Sequence, residues 1–311
     1  MALSKAALAL LHALSYPDLE VKENYEPLRA MKTAAAPKTP RTFYRAWDHR
    51  VHCGDHEVPV RLFSPLDGLE HPVLVFFHGG GWVTGNIDSY DRICSHMCAL
   101  TRHVVVSVDY RLAPEHPFPA APEDCYAVTC EVLQNAATLF HISPEQVTLI
   151  GDSAGGNLAA AVSLMARDRG SFVPRRQILI YPATYHDHSE SSPFPSVHEN
   201  GSGYLLTAKR IRDYMDLYAS RPEDRQNPYF APLLAENLSG QPKTLIITAE
   251  FDPLRDEGEA YGERLRESGV PTEICRLPDA LHGFIALPPR FSPVRHAYRI
   301  INRFLNRREE K

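Results

Sequence analysis

Short apolar runs rich in β-branched residues alternate with longer helical patterns from about residue 58 onward. Seven of these runs are predicted to be strands, at 59–63, 73–77, 104–108, 147–150, 177–181, 244–249 and 273–277. Several are apolar throughout, which is typical of parallel strands covered on both faces. The helical patterns between them lie at 90–100, 122–137, 156–169 and 256–268. This alternation predicts an α/β fold in which a mostly parallel sheet lies between two layers of helices.

Two regions interrupt the alternation. Residues 1 to about 45 are predicted to be helical and to precede the first strand. Residues 184 to about 226 form a long excursion between two strands, which begins as a loop rich in Ser, Pro and His and then becomes helical. Thr207 is the predicted N-cap of a helix over 208–218. Long excursions in compact domains are often lids over functional sites, and this one has enough apolar residues to fold.

The charge balance limits the classes of partner. The formal net charge is −5 and the isoelectric point is near 6.3, which favours neither nucleic acid nor an anionic membrane. No apolar stretch approaches the roughly 20 residues that cross a bilayer. The N-terminal segment has an apolar run broken by His12 and lacks a clear small-residue cleavage site. We therefore expect an amphipathic helix there, and a cytoplasmic protein rather than an exported one.

The cysteines and histidines give little indication of a metal site. The six cysteines include no CxxC pair and have no matching histidine spacing, so free thiols without a metal or cofactor are expected. The triplet His186-Asp187-His188 places two imidazoles at i and i+2 in a polar loop without a further ligand nearby. That triplet is interpreted as part of a solvated loop.

The segment Gly151-Asp152-Ser153-Ala154-Gly155 follows one predicted strand and opens a predicted helix. A serine between glycines in a strand–turn–helix setting is typical of a nucleophile elbow, in which the turn is strained and neighbouring chain passes close by. A serine flanked by glycines at this spacing arises in some chains by chance. Its position between a predicted strand and a predicted helix is more specific to a nucleophile elbow. Ser153 is therefore the candidate nucleophile.

A serine nucleophile needs a base, and the base needs an orienting carboxylate. In a parallel sheet such residues are expected beyond the carboxyl ends of strands. Asp252 lies three residues past the predicted strand 244–249, and His282 lies five residues past the predicted strand 273–277. Other carboxylates near Asp252 could orient the histidine instead, namely Glu250, Asp256 and Glu257. Asp256 and Glu257 begin a predicted helix, where the helix dipole favours them without a catalytic role.

A glycine run follows the predicted strand 73–77 as His78-Gly79-Gly80-Gly81-Trp82. Glycines leave backbone N–H groups accessible, and such groups can stabilise an oxyanion. Gly79, Gly80 and Gly81, together with the N–H of Ala154 just after Ser153, form the candidate oxyanion hole.

The sequence resembles the hormone-sensitive-lipase-like family of α/β-hydrolase carboxylesterases, and within it the bacterial acetyl esterases. The motifs that carry the resemblance are HGGGW at 78–82, DYRLAPEHPFPAA at 109–121, GDSAGGNLA at 151–159, DPLRDEG at 252–258 and LHGF at 281–284. The resemblance implies a single α/β-hydrolase domain over 1–311 with an eight-stranded sheet and a helical cap built from about 1–45 and 184–226. It also implies a triad of Ser153, Asp252 and His282, with oxyanion donors mainly at Gly80, Gly81 and Ala154.

The resemblance further implies a serine esterase for short acyl chains, acetyl to about hexanoyl, that needs no cofactor. Five residues that border the site in sequence are candidate substrate contacts: Trp82, Tyr185, Tyr204, Leu205 and Phe284. An amidase or peptidase using the same triad and a non-hydrolytic ligand-binding regulator stay open as alternatives. The expected partner is a small ester, and both a monomer and a homodimer stay open.

Overall fold

The computed structural model describes residues 20–34 and 44–307. The amphipathic helix expected near the N terminus lies outside these residues. The strands are β1 Tyr44–Cys53, β2 His56–Pro65, β3 Val73–Phe77, β4 Val104–Val108, β5 Val147–Asp152, β6 Arg176–Ile180, β7 Lys243–Phe251 and β8 Thr272–Leu281. The helices are α1 Val21–Ala34, α2 Asp91–Thr101, α3 Ala120–Gln134, α4 Ala136–Leu139, α5 Ala154–Asp168, α6 Pro195–Asn200, α7 Ala208–Tyr218, α8 Arg255–Glu267 and α9 Ser292–Asn306.

The eight strands form one sheet in the order β1-β2-β4-β3-β5-β6-β7-β8. β1 and β2 are antiparallel to their neighbours, and β4, β3, β5, β6, β7 and β8 are mutually parallel. Every residue of β3, β4 and β5 is buried, as the apolar runs predict. The predicted mostly parallel sheet is therefore confirmed.

Successive residues of β3 belong to two separate hydrophobic cores. Val75 and Phe77 pack in the core that includes residues of α3, α5 and α8, whereas Leu74 and Phe76 pack in the core of α2 and α9. Because neighbouring side chains of a strand point to opposite faces, this alternation places helices on both sides of the sheet. The protein therefore has three layers, in which the sheet lies between two layers of helices.

Strand β1 corrects the sequence interpretation, in which the first strand began at residue 59. Its ten residues pair with β2 in a continuous antiparallel register from Tyr44↔Pro65 to Cys53↔His56. In β1 only Tyr44 and Val51 are buried, because β1 is an edge strand with many polar side chains. Its apolar alternation is therefore too weak to predict a strand.

Helix α1 and the excursion that follows β6 lie against each other. The backbone N–H of Val21 donates to Asp213 Oδ2 of α7 at 3.3 Å, and the ammonium of Lys22 pairs with Asp216. Helix α7 begins at Ala208, and the Thr207 side chain accepts a 3.1 Å hydrogen bond from the N–H of Arg210, so the predicted N-cap is confirmed.

Arg29 attaches α1 to the loops at the carboxyl end of the sheet. Its guanidinium donates to both carboxylate oxygens of Glu115 at 2.8 Å and to the carbonyls of Val83 and Ala113 at 2.5 Å. These bonds hold the end of α1 beside the glycine run. Among the described residues, no helix combines the length and apolarity that crossing a bilayer requires.

Candidate active site

Ser153 lies at the turn between β5 and α5, with φ of 56° and ψ of −120°. A positive φ is uncommon for a residue other than glycine and marks a strained turn. The turn is held by the N–H of Ser153, which donates to the carbonyl of Ile180 at 2.8 Å, and by the carbonyl of Ser153, which accepts from the N–H of Asn157 at 3.0 Å. These two hydrogen bonds fix the backbone of the turn, and Ser153 lines a cavity.

Two glycines make this turn possible through close approach of backbone. A Cβ on Gly151 would lie 2.1 Å from the carbonyl oxygen of Gly155, and a Cβ on Gly155 would lie 1.9 Å from that of Phe77. Both separations are far below van der Waals contact. The glycines of the segment 151–155 are therefore required by packing, whatever chemistry Ser153 performs.

His282 lies between Ser153 and Asp252 and contacts both. Its Nε2 is 2.9 Å from Ser153 Oγ, and its Nδ1 is 2.7 Å from Asp252 Oδ2. Asp252 follows β7 directly and is fully buried, and its other oxygen accepts from the N–H of Leu254 at 2.9 Å. Because an ionised carboxylate only accepts, Nδ1 carries the proton and Nε2 is free to accept the hydroxyl proton of Ser153.

The three competing carboxylates have other partners. Asp256 accepts from the side chain of Arg255 at 2.7 Å, and Glu250 accepts from the backbone N–H of Asp279 at 2.7 Å. Glu257 accepts from the N–H of Thr184 at 2.7 Å. Among the carboxylates of the described residues, only Asp252 forms a hydrogen bond with His282.

The glycine run lies beside the Ser153 turn. Gly80 and Gly81 line the same cavity as Ser153 and Ala154, and no hydrogen bond to another described residue uses the N–H of Gly80 or Gly81. The N–H of Ala154 is the first of α5, and the first N–H groups of a helix have no partner within it. The three candidate donors thus belong to residues that line the same cavity as Ser153.

Gly79 has a different role from its two neighbours. Its N–H donates to Asp152 Oδ1 at 2.8 Å, so this donor already has a partner. Asp152 Oδ2 lies 3.2 Å from the hydroxyl of Tyr90 and 3.3 Å from that of Tyr181. Burial raises the pKa of Asp152 to about 6, and the hydrogen bonds from these donors partly oppose that rise. Gly79 therefore anchors the loop and is not available to an oxyanion, which corrects its place in the candidate oxyanion hole.

His78 also stabilises this loop. It is fully buried, stacks on Tyr110 with ring centroids 4.3 Å apart, and its carbonyl accepts from the Tyr110 hydroxyl at 2.7 Å. Burial lowers the pKa of His78 to about 4, so its ring is neutral at physiological pH. A neutral imidazole stacked in this way supports the loop.

The cavity beside Ser153 has a volume of about 340 Å³. Its polar and charged side chains are Ser153, His282, Asp152, Ser89, Tyr90, Tyr214 and Lys32. Its apolar wall comes from the sheet side and from the excursion: Trp82, Ile93, Ala154, Ala183, Leu206, Ile211, Leu254 and Ala286. The cavity therefore joins candidate catalytic groups to a largely apolar surface, as ligand sites commonly do.

Of the five predicted substrate contacts, Trp82 lines this cavity. Its indole is nevertheless only 2% exposed, because it stacks on Tyr218 with centroids 4.4 Å apart and on Phe230 at 6.0 Å. Trp82 thus joins the body of the protein to α7 as well as bounding the cavity.

The structure does not bring the other four to the cavity wall: Tyr185, Tyr204, Leu205 and Phe284. Phe284 packs edge-on against Tyr181 in the core, with centroids 5.0 Å apart, and Tyr204 stacks on Phe251 at 5.2 Å. Their proximity in sequence to the site therefore does not correspond to contact with the cavity, and their assignment to it is corrected.

The expected solvated loop at 186–188 is also corrected. His188 is fully buried, and its Nε2 lies 2.5 Å from Glu257 Oε2, which is equally buried. The pair attaches the start of the excursion to α8. No group of three potential metal ligands occurs among the residues that the structure describes, and the six cysteines, all within those residues, form no disulfide.

Most of the cavity wall was not predicted from the sequence, including the polar residues Lys32, Asp152 and Tyr214. Asp152 could have been found, since it directly precedes Ser153 in the motif. Lys32 and Tyr214 come from α1 and α7, and only the packing of these helices brings them to the cavity.

The chain has close relatives. The model of a family described as the alpha/beta hydrolase fold matches residues 74–286. An arylesterase from Saccharolobus solfataricus is 38% identical over 279 residues, covering 88% of each chain. The ethyl acetate hydrolase of Pseudomonas putida is 36% identical over 236 residues, covering 75% of this chain and 73% of the relative.

The similarity extends to solved structures. A hyperthermophilic esterase from the archaeon Pyrobaculum calidifontis has a TM-score of 0.85 with this chain at 37% sequence identity, covering 98% of both chains. The segment that the family model matches contains Ser153, Asp252 and His282.

Proposed function

Because the chain belongs to the α/β-hydrolase family, among the hormone-sensitive-lipase-like carboxylesterases, we propose that it hydrolyses short-chain acyl esters with Ser153, His282 and Asp252 as its triad. The proposed acyl range is acetyl to about hexanoyl. The observation that carries this proposal is the hydrogen-bonded series from Ser153 Oγ through His282 to Asp252, at the wall of a cavity.

In the first half of the reaction, His282 Nε2 takes the hydroxyl proton as Ser153 Oγ attacks the ester carbonyl. The Asp252 carboxylate, 2.7 Å from Nδ1, stabilises the imidazolium that forms. When the tetrahedral intermediate collapses, His282 returns the proton to the leaving alcohol, and the acyl group stays on Ser153.

In the second half, His282 Nε2 accepts a proton from water, which attacks the acyl-enzyme carbonyl. Collapse of this second intermediate releases the carboxylic acid, and the proton returns to Ser153 Oγ. In both halves the negative carbonyl oxygen is bound by the N–H groups of Gly80, Gly81 and Ala154. Losing one such donor typically costs about 3 kcal/mol of transition-state stabilisation.

The size of the cavity supports short substrates. Its volume of about 340 Å³ is close to the lower end of the range of small-molecule sites, roughly 300–1,000 Å³. The ethyl acetate hydrolase among the relatives acts on an ester with an acetyl group, which supports the short end of the acyl range.

We also propose that α1 and the excursion 184–226 act as a cap within one catalytic domain. Support comes from the contribution of both to the cavity wall, through Lys32 of α1 and through Ile211 and Tyr214 of α7. Such a cap excludes water from the cavity and limits the size of ester that can enter it.

The test is hydrolysis of p-nitrophenyl esters from acetate to decanoate by the wild type, Ser153→Ala and Ser239→Ala. Ser239 is exposed, so its variant is a matched control. We expect turnover that is fastest for short chains, is lost in Ser153→Ala and is unchanged in Ser239→Ala. A maximum at long chains would overturn the proposed acyl range. Turnover that survives Ser153→Ala would overturn the triad, and faster cleavage of the matching p-nitroanilides would favour an amidase.

A further inference from the structure

Lys32 carries a positive charge from the cap into the cavity that holds Ser153. It lies in the last turn of α1, and the residue as a whole is exposed. Its ammonium nevertheless points inward, where Nζ donates to Oγ1 of Thr84 at 2.7 Å. Thr84 is fully buried, and Lys32 lines the cavity together with Ser153. The aliphatic part of Lys32 is therefore at the protein surface, and its ammonium is at the cavity that Ser153 lines.

This ammonium differs from the other lysines of the same region. Lys22 of α1 pairs with Asp216, and Lys209 of α7 pairs with Glu20 at 2.8 Å. Within the described part of the chain, Lys32 has no carboxylate within ion-pair distance. Burial lowers the pKa of Lys32, and the charge of Asp152 partly opposes that fall.

An ammonium removed from water without a counterion is costly, and an anionic group offers it a favourable partner. It has three N–H groups, of which one is directed to Thr84. Asp152 lines the same cavity and its charge acts on Lys32, but it forms no ion pair with the ammonium, and its oxygens accept from Gly79, Tyr90 and Tyr181. Lys32 is the sole Lys or Arg of the described residues that lines the cavity.

The anchor of Lys32 is connected to the candidate oxyanion loop. Thr84 Oγ1, which accepts from Lys32, donates to the carbonyl of Gly80 at 2.9 Å, and the N–H of Thr84 donates to the same carbonyl at 2.9 Å. Two successive hydrogen bonds thus fix the ammonium relative to the loop beside which an ester carbonyl would bind.

We propose that Lys32 is a specificity-determining residue that binds the carboxylate of esters carrying one. The substrate class is then an ester of a small acid or alcohol that bears a second, free carboxylate. This inference rests on the proposed function, since it assigns a substrate class to the same cavity. The carboxylate can belong to the acyl part or to the alcohol part of the ester.

The experiment compares anionic and neutral esters on both sides of the scissile bond. The acyl-side pair is monomethyl adipate and methyl hexanoate, and the alcohol-side pair is para-acetoxybenzoate and phenyl acetate. Each is measured with the wild type, Lys32→Met, Lys32→Arg and Lys22→Met. Lys22→Met is the matched control, because it removes a lysine of the same helix that contacts α7 outside the cavity.

In Lys32→Met we expect kcat/KM for the anionic ester of at least one pair to fall about 10- to 100-fold, as for loss of a charged hydrogen bond. The neutral ester should change less than about threefold, so that the ratio within the pair identifies Lys32 as a binding group. Lys32→Arg should keep most of the preference, and Lys22→Met should keep all of it. An equal fall for anionic and neutral esters would overturn the proposal, because it would indicate a positioning effect through Thr84.

A binding measurement separates this inference from the proposed function. Calorimetric titration of monomethyl adipate and of para-acetoxybenzoate into Ser153→Ala should give a Kd that Lys32→Met weakens about 10-fold or more. Absence of ester turnover together with Lys32-dependent binding would overturn the proposed function and keep the anion site. Binding of both esters that is independent of Lys32, or no binding of either, would overturn the anion site.

Discussion

The backbone N–H of Gly79 donates a 2.8 Å hydrogen bond to Oδ1 of Asp152, the residue directly before Ser153. The bond joins two loops that are 73 residues apart in the sequence. One loop carries the candidate oxyanion donors and the other carries the candidate nucleophile. Their relative position therefore depends on a side chain whose hydrogen bonds go to Gly79, Tyr90 and Tyr181, and not to the hydroxyl of Ser153 or the N–H groups of Gly80 and Gly81.

Asp152→Asn is expected to lower kcat on p-nitrophenyl acetate on the order of tenfold with little change in KM, because small displacements of catalytic groups are costly. The amide oxygen can still accept from Gly79, but an NH2 group replaces the oxygen that faces Tyr90 and Tyr181. Asp168→Asn, at the far end of α5, is the control and should behave as the wild type. A wild-type kcat for Asp152→Asn would show that this anchor is not needed.

The stability of Asp152→Asn relative to the wild type should depend on pH. Burial raises the pKa of Asp152 from 3.8 to about 6, so the folded chain binds this proton more readily than the unfolded chain. Ionisation of Asp152 therefore lowers the free energy of unfolding. This loss is absent below pH 3.8, grows between pH 3.8 and 6, and is complete above about pH 6. Urea unfolding should show the variant gaining stability against the wild type as pH rises through this window. A difference that stays constant with pH would contradict the raised pKa.

Gly155→Ala should prevent the Ser153 turn from forming. The new Cβ would lie 1.9 Å from the carbonyl oxygen of Phe77, and both groups are backbone or attached directly to it. We expect a loss of at least about 3 kcal/mol in the free energy of unfolding and no esterase activity.

Gly258→Ala provides the matched control on helix α8. Its Cβ would have an ordinary contact of 3.4 Å with Pro182, and alanine favours a helix by about 1 kcal/mol over glycine. Its stability in urea should equal or exceed that of the wild type. Equal destabilisation by the two substitutions would rule out the close approach at Gly155 as the cause.

Glu257→Gln should loosen the start of the excursion. Glu257 accepts from the N–H groups of Thr184 and Tyr185 at 2.7 and 3.1 Å, and from His188 at 2.5 Å. An amide cannot accept at all these positions, and leaving a buried hydrogen-bonding group without its partner typically costs about 1–3 kcal/mol. Glu263→Gln, on the same helix but 57% exposed, should change the urea midpoint little. Matching midpoints for the two variants would contradict a stabilising role of the buried pair.

The central strands of the sheet were predictable because a strand buried on both faces needs apolar residues at nearly every position. The strand predicted at 73–77 has the same bounds as β3, whereas β1 was missed. Edge strand β1 buries little and tolerates charge, so its alternation is lost. The Gly54-Asp55 pair between β1 and β2 is a hairpin pattern that could have indicated it.

The candidate site was predictable where its residues belong to motifs at strand ends, as for Ser153, Asp252 and His282. Their catalytic roles stay predictions, although the hydrogen bonds that those roles need are present. The cavity wall was not predictable, because it depends on side-chain directions that tertiary packing sets. Leu205 and Leu206 are adjacent in the sequence, and only Leu206 lines the cavity.

The three residues of the proposed triad come from the ends of β5, β7 and β8, and 129 residues separate Ser153 from His282. A chain emerging from the ribosome presents its nucleophile first and its carboxylate and base much later. With the proposed triad, Ser153 has no base beside it until β8 has joined the sheet. The proposed triad thus makes activity wait for the end of synthesis, and we expect a truncated product that lacks β8 and His282 to leave the esters of its own cell intact.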